Sequence, residues 1–389
     1  MISAALIALF WLCTCLVAYA YVGYPLLVAT LARRRGRSPG NSRQGQTHDF
    51  PPLTVVVCAY DEEARIASRI TDILAQDYPA GHLHVLVVSD GSRDLTAEVA
   101  ATSAAFDNRI RVLALPRNVG KAAALNAAMA QVDTPLVAFT DARQRYAAGA
   151  LQLLIAPFND PQVGAVSGEL VILDTAASAD RSAPEAGLYW RMEKRLRADE
   201  ARLGWLHGVS GSVYALRRNL YKEIPAGTIL DDMWVPLQVT LAGRWVWMAR
   251  DAIAYDQASA NANEEFSRKL RTLAGNWQLI ARLPILLHPS LIPVFFAWFS
   301  HKFLRLLVPW ALLLALLASA LLPGGFFRFA LLAQLSAYVL ATIGLRLPTF
   351  ARRIPLSSAA GTFLMLNLAS LLSLPASLSA DSSRLWKKH

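Results

Sequence analysis

Four short apolar runs, at 53–59, 83–88, 110–115 and 136–140, recur along the chain with room for one helix between each pair. The first, Leu53-Thr54-Val55-Val56-Val57-Cys58-Ala59, is almost wholly apolar. A strand covered on both faces of a parallel sheet reads this way. Helical patterns are expected at about 62–75, 94–104 and 120–130. Strands alternating with helices predict an α/β domain with a mostly parallel sheet. The sequence shows no internal repeat.

Acids stand where these runs end. Ser89-Asp90-Gly91-Ser92 follows the second run and Thr140-Asp141-Ala142-Arg143 the fourth, while Asp231-Asp232 precedes a helical pattern at 233–242. Loops at the carboxyl ends of strands line the ligand crevice of an open α/β sheet. Carboxylates gathered there can hold a ribose or a metal-bound diphosphate, or accept a proton. The turn after the first run reads Ala59-Tyr60-Asp61-Glu62-Glu63. It has no G-x-G-x-x-G, and the chain has no P-loop pattern. A nucleotide here would be held partly by side-chain acids. Each acid also has a plainer reading. Asp90 and Asp94 could shape a turn and cap a helix, Glu62 could be a first-turn helix acid, and Asp231 with Asp232 could start the next helix.

Hydrophobic residues make up 54% of the chain, concentrated at its two ends. Residues 2–32 carry no Lys, Arg, Asp or Glu, and an arginine run, Arg33, Arg34, Arg35 and Arg37, follows. About 20 apolar residues suffice to cross a bilayer. Ala18-Tyr19-Ala20 resembles a signal cleavage site, but the basic leader is missing and the apolar run continues. A retained helix is therefore expected over 1–33, with the arginines marking the cytoplasmic side. A polar linker over 34–50 then leads to the water-soluble block, 51–262. Further spans are expected near 303–322 and 326–345, around Pro323-Gly324-Gly325. The Ser-rich apolar segment 356–378 either spans, re-enters or lies along the surface, and a basic tail occupies 381–389. Between 263 and 300 charges interleave with apolar residues, as in interface helices, and Pro284, Pro289 and Pro293 divide the stretch. The formal net charge is +10, but the arginines sit beside apolar segments and form no nucleic-acid-binding tract. Cys13, Cys15 and Cys58 have neither metal-ligand nor disulfide spacing.

Taken in order, Val56-Val57-Cys58-Ala59-Tyr60-Asp61-Glu62-Glu63, Val88-Ser89-Asp90-Gly91-Ser92, Asn118-Val119-Gly120-Lys121-Ala122 and Phe139-Thr140-Asp141-Ala142 resemble the inverting family-two glycosyltransferases of GT-A fold. Gly208-Val209-Ser210-Gly211-Ser212 and Leu230-Asp231-Asp232 resemble that family's acceptor loop and catalytic acid motif. The flanking apolar helices are similar to those of the hyaluronan and cellulose synthase branch and of ceramide glucosyltransferase. The resemblance implies a membrane-bound enzyme that uses a nucleotide sugar, UDP-linked, and a lipid-linked or other membrane-associated glycan acceptor. It implies that Tyr60 and Glu62 border the base and ribose, Asp90 contacts the nucleoside, and Lys121 helps to hold the diphosphate. Asp141 would hold Mg²⁺ or Mn²⁺. Asp232 would be the catalytic base, with Asp231 beside it. Glu169, Ser210, Gly211, Arg271 and Trp277 would lie toward the acceptor.

Two motifs depart from the family pattern. Arg143 stands where D-x-D would place its second acid, and a cation there repels a metal or meets phosphate itself. The synthase signature Q-x-x-R-W has its nearest match at Arg268-Lys269-Leu270-Arg271-Thr272. That weakens a processive polysaccharide synthase and favours a single transfer. A third reading is a membrane-anchored nucleotide-sugar-binding protein without turnover.

Overall fold

The uncharged opening stretch is helical in the computed structural model, which describes residues 2–40, 50–173, 188–257, 262–291, 294–347, 354 and 356–378. Helix α1 (Ile2–Ala18) passes through a π-helical turn at Tyr19–Gly23 into α2 (Tyr24–Arg35), which ends on three arginines. The chain divides into two compact units. One is an α/β unit, Gly36–Leu173 with Glu200–Gln257. The other is helical: Met1–Arg35, Asp174–Asp199 and Ala258–His389.

The α/β unit opens with β1 (Leu53–Ala59), α3 (Glu63–Leu74), β2 (Leu83–Ser89), α4 (Thr96–Phe106), β3 (Ile110–Ala114), α5 (Lys121–Met129) and β4 (Leu136–Asp141). It continues with β5 (Arg145–Tyr146), α6 (Ala150–Ile155) and β6 (Val163–Leu173). Helix α7 (Leu188–Arg202) leads to β7 (Tyr214–Arg217), α8 (Asp231–Leu241) and β8 (Trp245–Gln257). The eight strands lie in the order β3-β2-β1-β4-β7-β6-β8-β5. Strand β1 runs parallel to both neighbours, pairing Ala59 with Ser89 on one side and Cys58 with Asp141 on the other. That register brings the turns after β1, β2 and β4 to one edge of the sheet. Beyond β4 the sheet is mixed: β7 is antiparallel to β4 and β6, β8 is parallel to β6, and β5 is antiparallel to β8.

This mixed half carries weaker periodic signals than the first four strands. Register shifts in the β6–β8 pair fall between Val163 and Ala165 and between Ser167 and Glu169, around Gly164 and Gly168. Glycine inside a strand marks such bulges and close backbone approaches. At Gly168 a Cβ would stand 2.4 Å from the Ala252 carbonyl oxygen and 2.6 Å from a Val213 methyl. The helix expected at 233–242 begins earlier, so Asp231 and Asp232 form its first turn.

The helical unit adds α9 (Ala262–Arg282), α10 (Val294–Trp298), a π-helical turn at Phe299–Phe303, α11 (Leu304–Leu321), α12 (Gly325–Arg346) and α13 (Ser357–Leu378). Among the described residues four helices are long and apolar enough to cross a membrane: Ser3–Arg35, Val294–Leu321, Gly325–Arg346 and Ser357–Leu378. The second starts at Val294, not near 303, because the π-helical turn joins α10 to α11 without a break. The expected interface stretch is therefore shared between α9, two short 3₁₀ turns and the head of this long helix. Most of the polar linker and the basic tail lie outside the described residues.

Packing inside this unit uses small residues and a carboxylate surrounded by basic groups. Phe10 and Cys13 of α1 meet Ala311, Ala315 and Ala318 of α11. Helices α12 and α13 approach so closely that a Cβ on Gly344 would stand 2.0 Å from the Ser357 carbonyl oxygen. Glu193 of α7 accepts hydrogen bonds from His301 Nε2 at 2.7 Å and Arg305 at 2.8 Å, with Lys302 Nζ at 3.6 Å. Burial alone would raise the Glu193 carboxyl, but His301, Arg305 and Lys302 beside it overcome burial and hold it well below the usual carboxylate range.

The close approach at Gly168 yields a direct test. Gly168→Ala should lower stability by about 1–3 kcal/mol, the usual range for overpacking a tight core. Gly81, where an added Cβ would meet nothing within 4 Å, is the control whose alanine variant should be close to neutral. Thermal unfolding of the purified protein in detergent compares the two.

Candidate active site

Asp90 shapes the site from below. Its carboxylate accepts the backbone N–H of Val119 at 2.8 Å and of Gly120 at 2.9 Å, and its carbonyl accepts the Asn118 side chain at 3.2 Å. The Ser89–Ser92 turn is therefore clasped to the turn that opens α5. Gly91 sits at φ +61°, and a Cβ there would lie 2.2 Å from the Arg117 carbonyl carbon. Only glycine accommodates both the left-handed backbone and the contact. Both Asp90 oxygens serve the protein's own backbone, and what they fix directly is the start of α5, where Lys121 follows.

Lys121 lies between two acids. Its ammonium is 2.8 Å from Asp141 Oδ1, at the end of β4, and 3.7 Å from Asp231 Oδ2, on the first turn of α8. The second Asp141 oxygen accepts the Ser212 hydroxyl at 3.3 Å. Burial disfavours charge on both Lys121 and Asp141. For Lys121, however, the Asp141 and Asp231 carboxylates overcome burial and raise the ammonium above its ordinary value. For Asp141, Lys121 and then Arg143 overcome it and lower the carboxyl. Cys58, beneath this cluster, is pushed up to about 12, chiefly by burial, so its thiol stays protonated.

The loop 208–212 packs against the second acid of α8. The Asp232 carbonyl accepts the Val209 N–H at 2.9 Å. A Cβ on Gly211 would lie 3.3 Å from the Asp232 Cβ and 3.6 Å from its Oδ2. Ser210 donates its N–H to the Ser167 hydroxyl at 3.0 Å, and its carbonyl accepts the Val213 N–H at 3.0 Å. Successive helix residues point about 100° apart. Asp231 thus faces the Lys121–Asp141 cluster while Asp232 borders the loop.

The other expected residues divide into three groups. Tyr60 is half-buried and Glu62 buried, on a turn locked to the 92–96 segment. In that lock the Glu62 N–H donates to the Thr96 hydroxyl at 2.8 Å, and the Arg93 N–H donates to Asp61 at 2.8 Å. The Glu62 carboxylate accepts Arg65 at 2.8 Å. Arg143 is exposed beside Asp141, and Glu169 has Arg250 of β8 at 3.9 Å. Arg271 and Trp277 belong to α9 of the helical unit, where the Trp277 indole donates to Ser373 at 3.0 Å. That bond engages Trp277 in helix packing. Sequence reading missed Ser212 as a partner of Asp141, although it closes the same Gly-Val-Ser-Gly-Ser motif. It also missed Arg69. The signal was a charge on the buried stripe of α3, among Ile66, Ile70 and Ile73.

Residues 54–225 match the pattern of Glycosyl transferase family 2. An N-acetylglucosaminyltransferase of Bradyrhizobium elkanii is 37% identical over 125 residues, covering 31% of this chain and 68% of that protein. The chain belongs to glycosyltransferase family 2. An N-acetylglucosaminyltransferase of Rhizobium meliloti (strain 1021) is 32% identical over 176 residues, 45% of this chain. The chain spans 41% of that relative's length, and 44% of a similar one from Rhizobium leguminosarum bv. viciae. A mannosyltransferase from Pyrobaculum calidifontis, solved with GDP-mannose and Mn²⁺, shares the fold at TM-score 0.69 and 23% identity, covering 96% of this chain and 99% of that one. The α/β unit thus has the GT-A fold.

The acids of this family-two chain fit a divalent cation of the Mg²⁺ or Mn²⁺ type. Asp141 and Asp231 offer hard oxygens that converge on one point, taken by the Lys121 ammonium. Asp231 Oδ2 is buried and has no hydrogen-bond partner among the described residues. Mg²⁺ commonly uses only one or two carboxylates and completes its shell with phosphate oxygens and water. A second D-x-D acid is therefore not required, and Arg143 stands exposed near Asp141.

The Lys121–Asp141 pair sets a pH expectation. Asp141 is lowered, so its contribution is complete above the ordinary carboxylate range and is lost only as pH falls through that lowered value. Lys121 is raised, so its contribution persists until pH climbs past the ordinary lysine value. The melting-temperature difference between wild type and Asp141→Asn should therefore stay constant from about pH 5 to about pH 9. A difference that shrinks within that window would show that the pair is not ionised as described.

Proposed function

We propose that the α/β unit transfers N-acetylglucosamine from its UDP-linked donor to a lipid-linked or other membrane-associated glycan acceptor, with inversion at the anomeric carbon. The observation that carries this reading is the pairing of Asp231 with the cationic cluster and Asp232 with the 208–212 loop, from adjacent positions of one helix turn. The donor assignment rests on the relatives named as N-acetylglucosaminyltransferases.

In this reading the acceptor hydroxyl attacks the anomeric carbon. The bond from that carbon to the diphosphate oxygen breaks, and UDP departs with the electron pair. The Asp232 carboxylate takes the hydroxyl proton, a role that position fits better than a perturbed pKa would. Lys121 and Arg143 meet the charge that develops on the diphosphate, and prepositioned charge of this kind is commonly the largest catalytic contribution. A divalent cation, held by Asp141 with Asp231 alongside, would add positive charge at the same oxygens. Tyr60 and Glu62 border the nucleoside, and Asp90 acts there by fixing the turn that carries Lys121. In this reading the apolar helices anchor the unit in a bacterial inner membrane, and the arginines ending α2 support a cytoplasmic orientation. Glu169 of β6 and Arg271 and Trp277 of α9 are assigned to the acceptor side.

Membranes containing the protein should release UDP from UDP-N-acetylglucosamine and label an extractable lipid or short glycan fraction. Asp232→Asn should reduce UDP release by about 10²-fold or more, the range expected for loss of a positioned base. Equal release by both forms removes Asp232 from the base role. A long polymer among the products would replace single transfer by processive synthesis.

A further inference from the structure

We propose that Arg69, which lies outside the motifs quoted above, is a positioning residue. It would set the acceptor-side loop 210–213 through the Thr140 hydroxyl, a role that rests on the function proposed above. Arg69 lies on α3 and is fully buried. One arm of its guanidinium donates to Asp72. The other donates to Thr140 Oγ1 at 2.6 Å. The guanidinium carbon sits 4.0 Å from the centre of the Tyr146 ring. Asp72 also accepts the Tyr146 N–H at 3.1 Å, which ties β5 to the same carboxylate.

The Thr140 hydroxyl gives this arrangement a direction. A hydroxyl has one proton and two lone pairs. With Arg69 donating into it, its own proton is directed to an acceptor, and the Ser212 carbonyl takes it at 2.8 Å. Ser212 in turn donates its hydroxyl to Asp141 at 3.3 Å. One guanidinium therefore links α3, the end of β4 and the loop that borders Asp232. Stability alone is a poor reason to bury an arginine. Replacing a buried ion pair by apolar side chains of similar volume is often neutral or favourable. The fork geometry of arginine is what reaches a carboxylate and a hydroxyl together, and lysine cannot reproduce it.

The test uses the full-length protein in lipid nanodiscs with Arg69→Met, Arg69→Lys, Thr140→Val and Thr140→Ser. Hydrogen–deuterium exchange followed by mass spectrometry reads the loop without requiring turnover. Arg69→Met, Arg69→Lys and Thr140→Val should speed exchange of the 209–214 amides by about tenfold or more while strand β2 stays protected. Thr140→Ser should restore wild-type exchange. Steady-state UDP release from UDP-N-acetylglucosamine should lose about tenfold or more in kcat with donor KM within about threefold, the pattern of a misplaced group. The double variant Arg69→Met/Thr140→Val should be no worse than either single. Wild-type loop exchange in Thr140→Val overturns the proposal, and that variant removes only a hydroxyl if Arg69→Met fails to fold. Additive losses that track melting temperature overturn it too. Absence of UDP release by the wild type would overturn the donor assignment instead, leaving the exchange result to decide the role of Arg69.

Discussion

The parallel register of β1 with both β2 and β4 is the constraint on which the site depends. Pairing Ala59 with Ser89 and Cys58 with Asp141 puts two strand ends level. The acids that follow those strands then share one edge. A slip of one residue in either pair would turn every side chain of that strand to the opposite face. Both faces are buried, so side-chain shape opposes such a slip: Leu86 would exchange places with a valine, and Phe139 with Ala138. The same apolar contacts that hold the sheet therefore set the separation of the functional acids.

That level edge would gather negative charge without compensation. Lys121 supplies the compensation, and its place follows from Asp90. The Asp90 carboxylate satisfies two backbone N–H groups at the turn into α5, and the lysine is the first residue of that helix. The family resemblance assigns Asp90 directly to the nucleoside. Its bonding gives it an earlier task, because without that clasp the ammonium between Asp141 and Asp231 has no fixed origin. A residue in a binding motif can thus act one step behind the ligand.

The first half of the sheet was legible because its strands are buried on both faces and read as unbroken apolar runs. The second half was not. Strand β6 contains two glycines and bulges, and β5 is two residues long, so neither offers a clean period. The site followed the same division. Asp141, Asp231, Asp232 and Lys121 lie in short recognisable motifs, and the fold brings them together. Ser212 was hidden because its partner is 71 positions away in sequence. Arg69 carried a signal of another kind: a charge inside an apolar helical stripe, which conflicts with local patterning. Such conflicts between local rule and global fold concentrate where structure serves function. Trp277, reached through a weak motif match, is engaged in helix packing by its bond to Ser373.

The pair Asp231-Asp232 shows how far helix geometry alone divides labour. In a loop, two adjacent carboxylates would compete for the same cations and repel each other. On the first turn of α8 they diverge by about 100°. One therefore meets Lys121, and the other meets a loop whose Gly211 leaves room for it. The helix N-terminus favours negative charge at both positions. The surroundings of Lys121 and the lining of 208–212 can then be changed separately, without moving the helix that carries both acids.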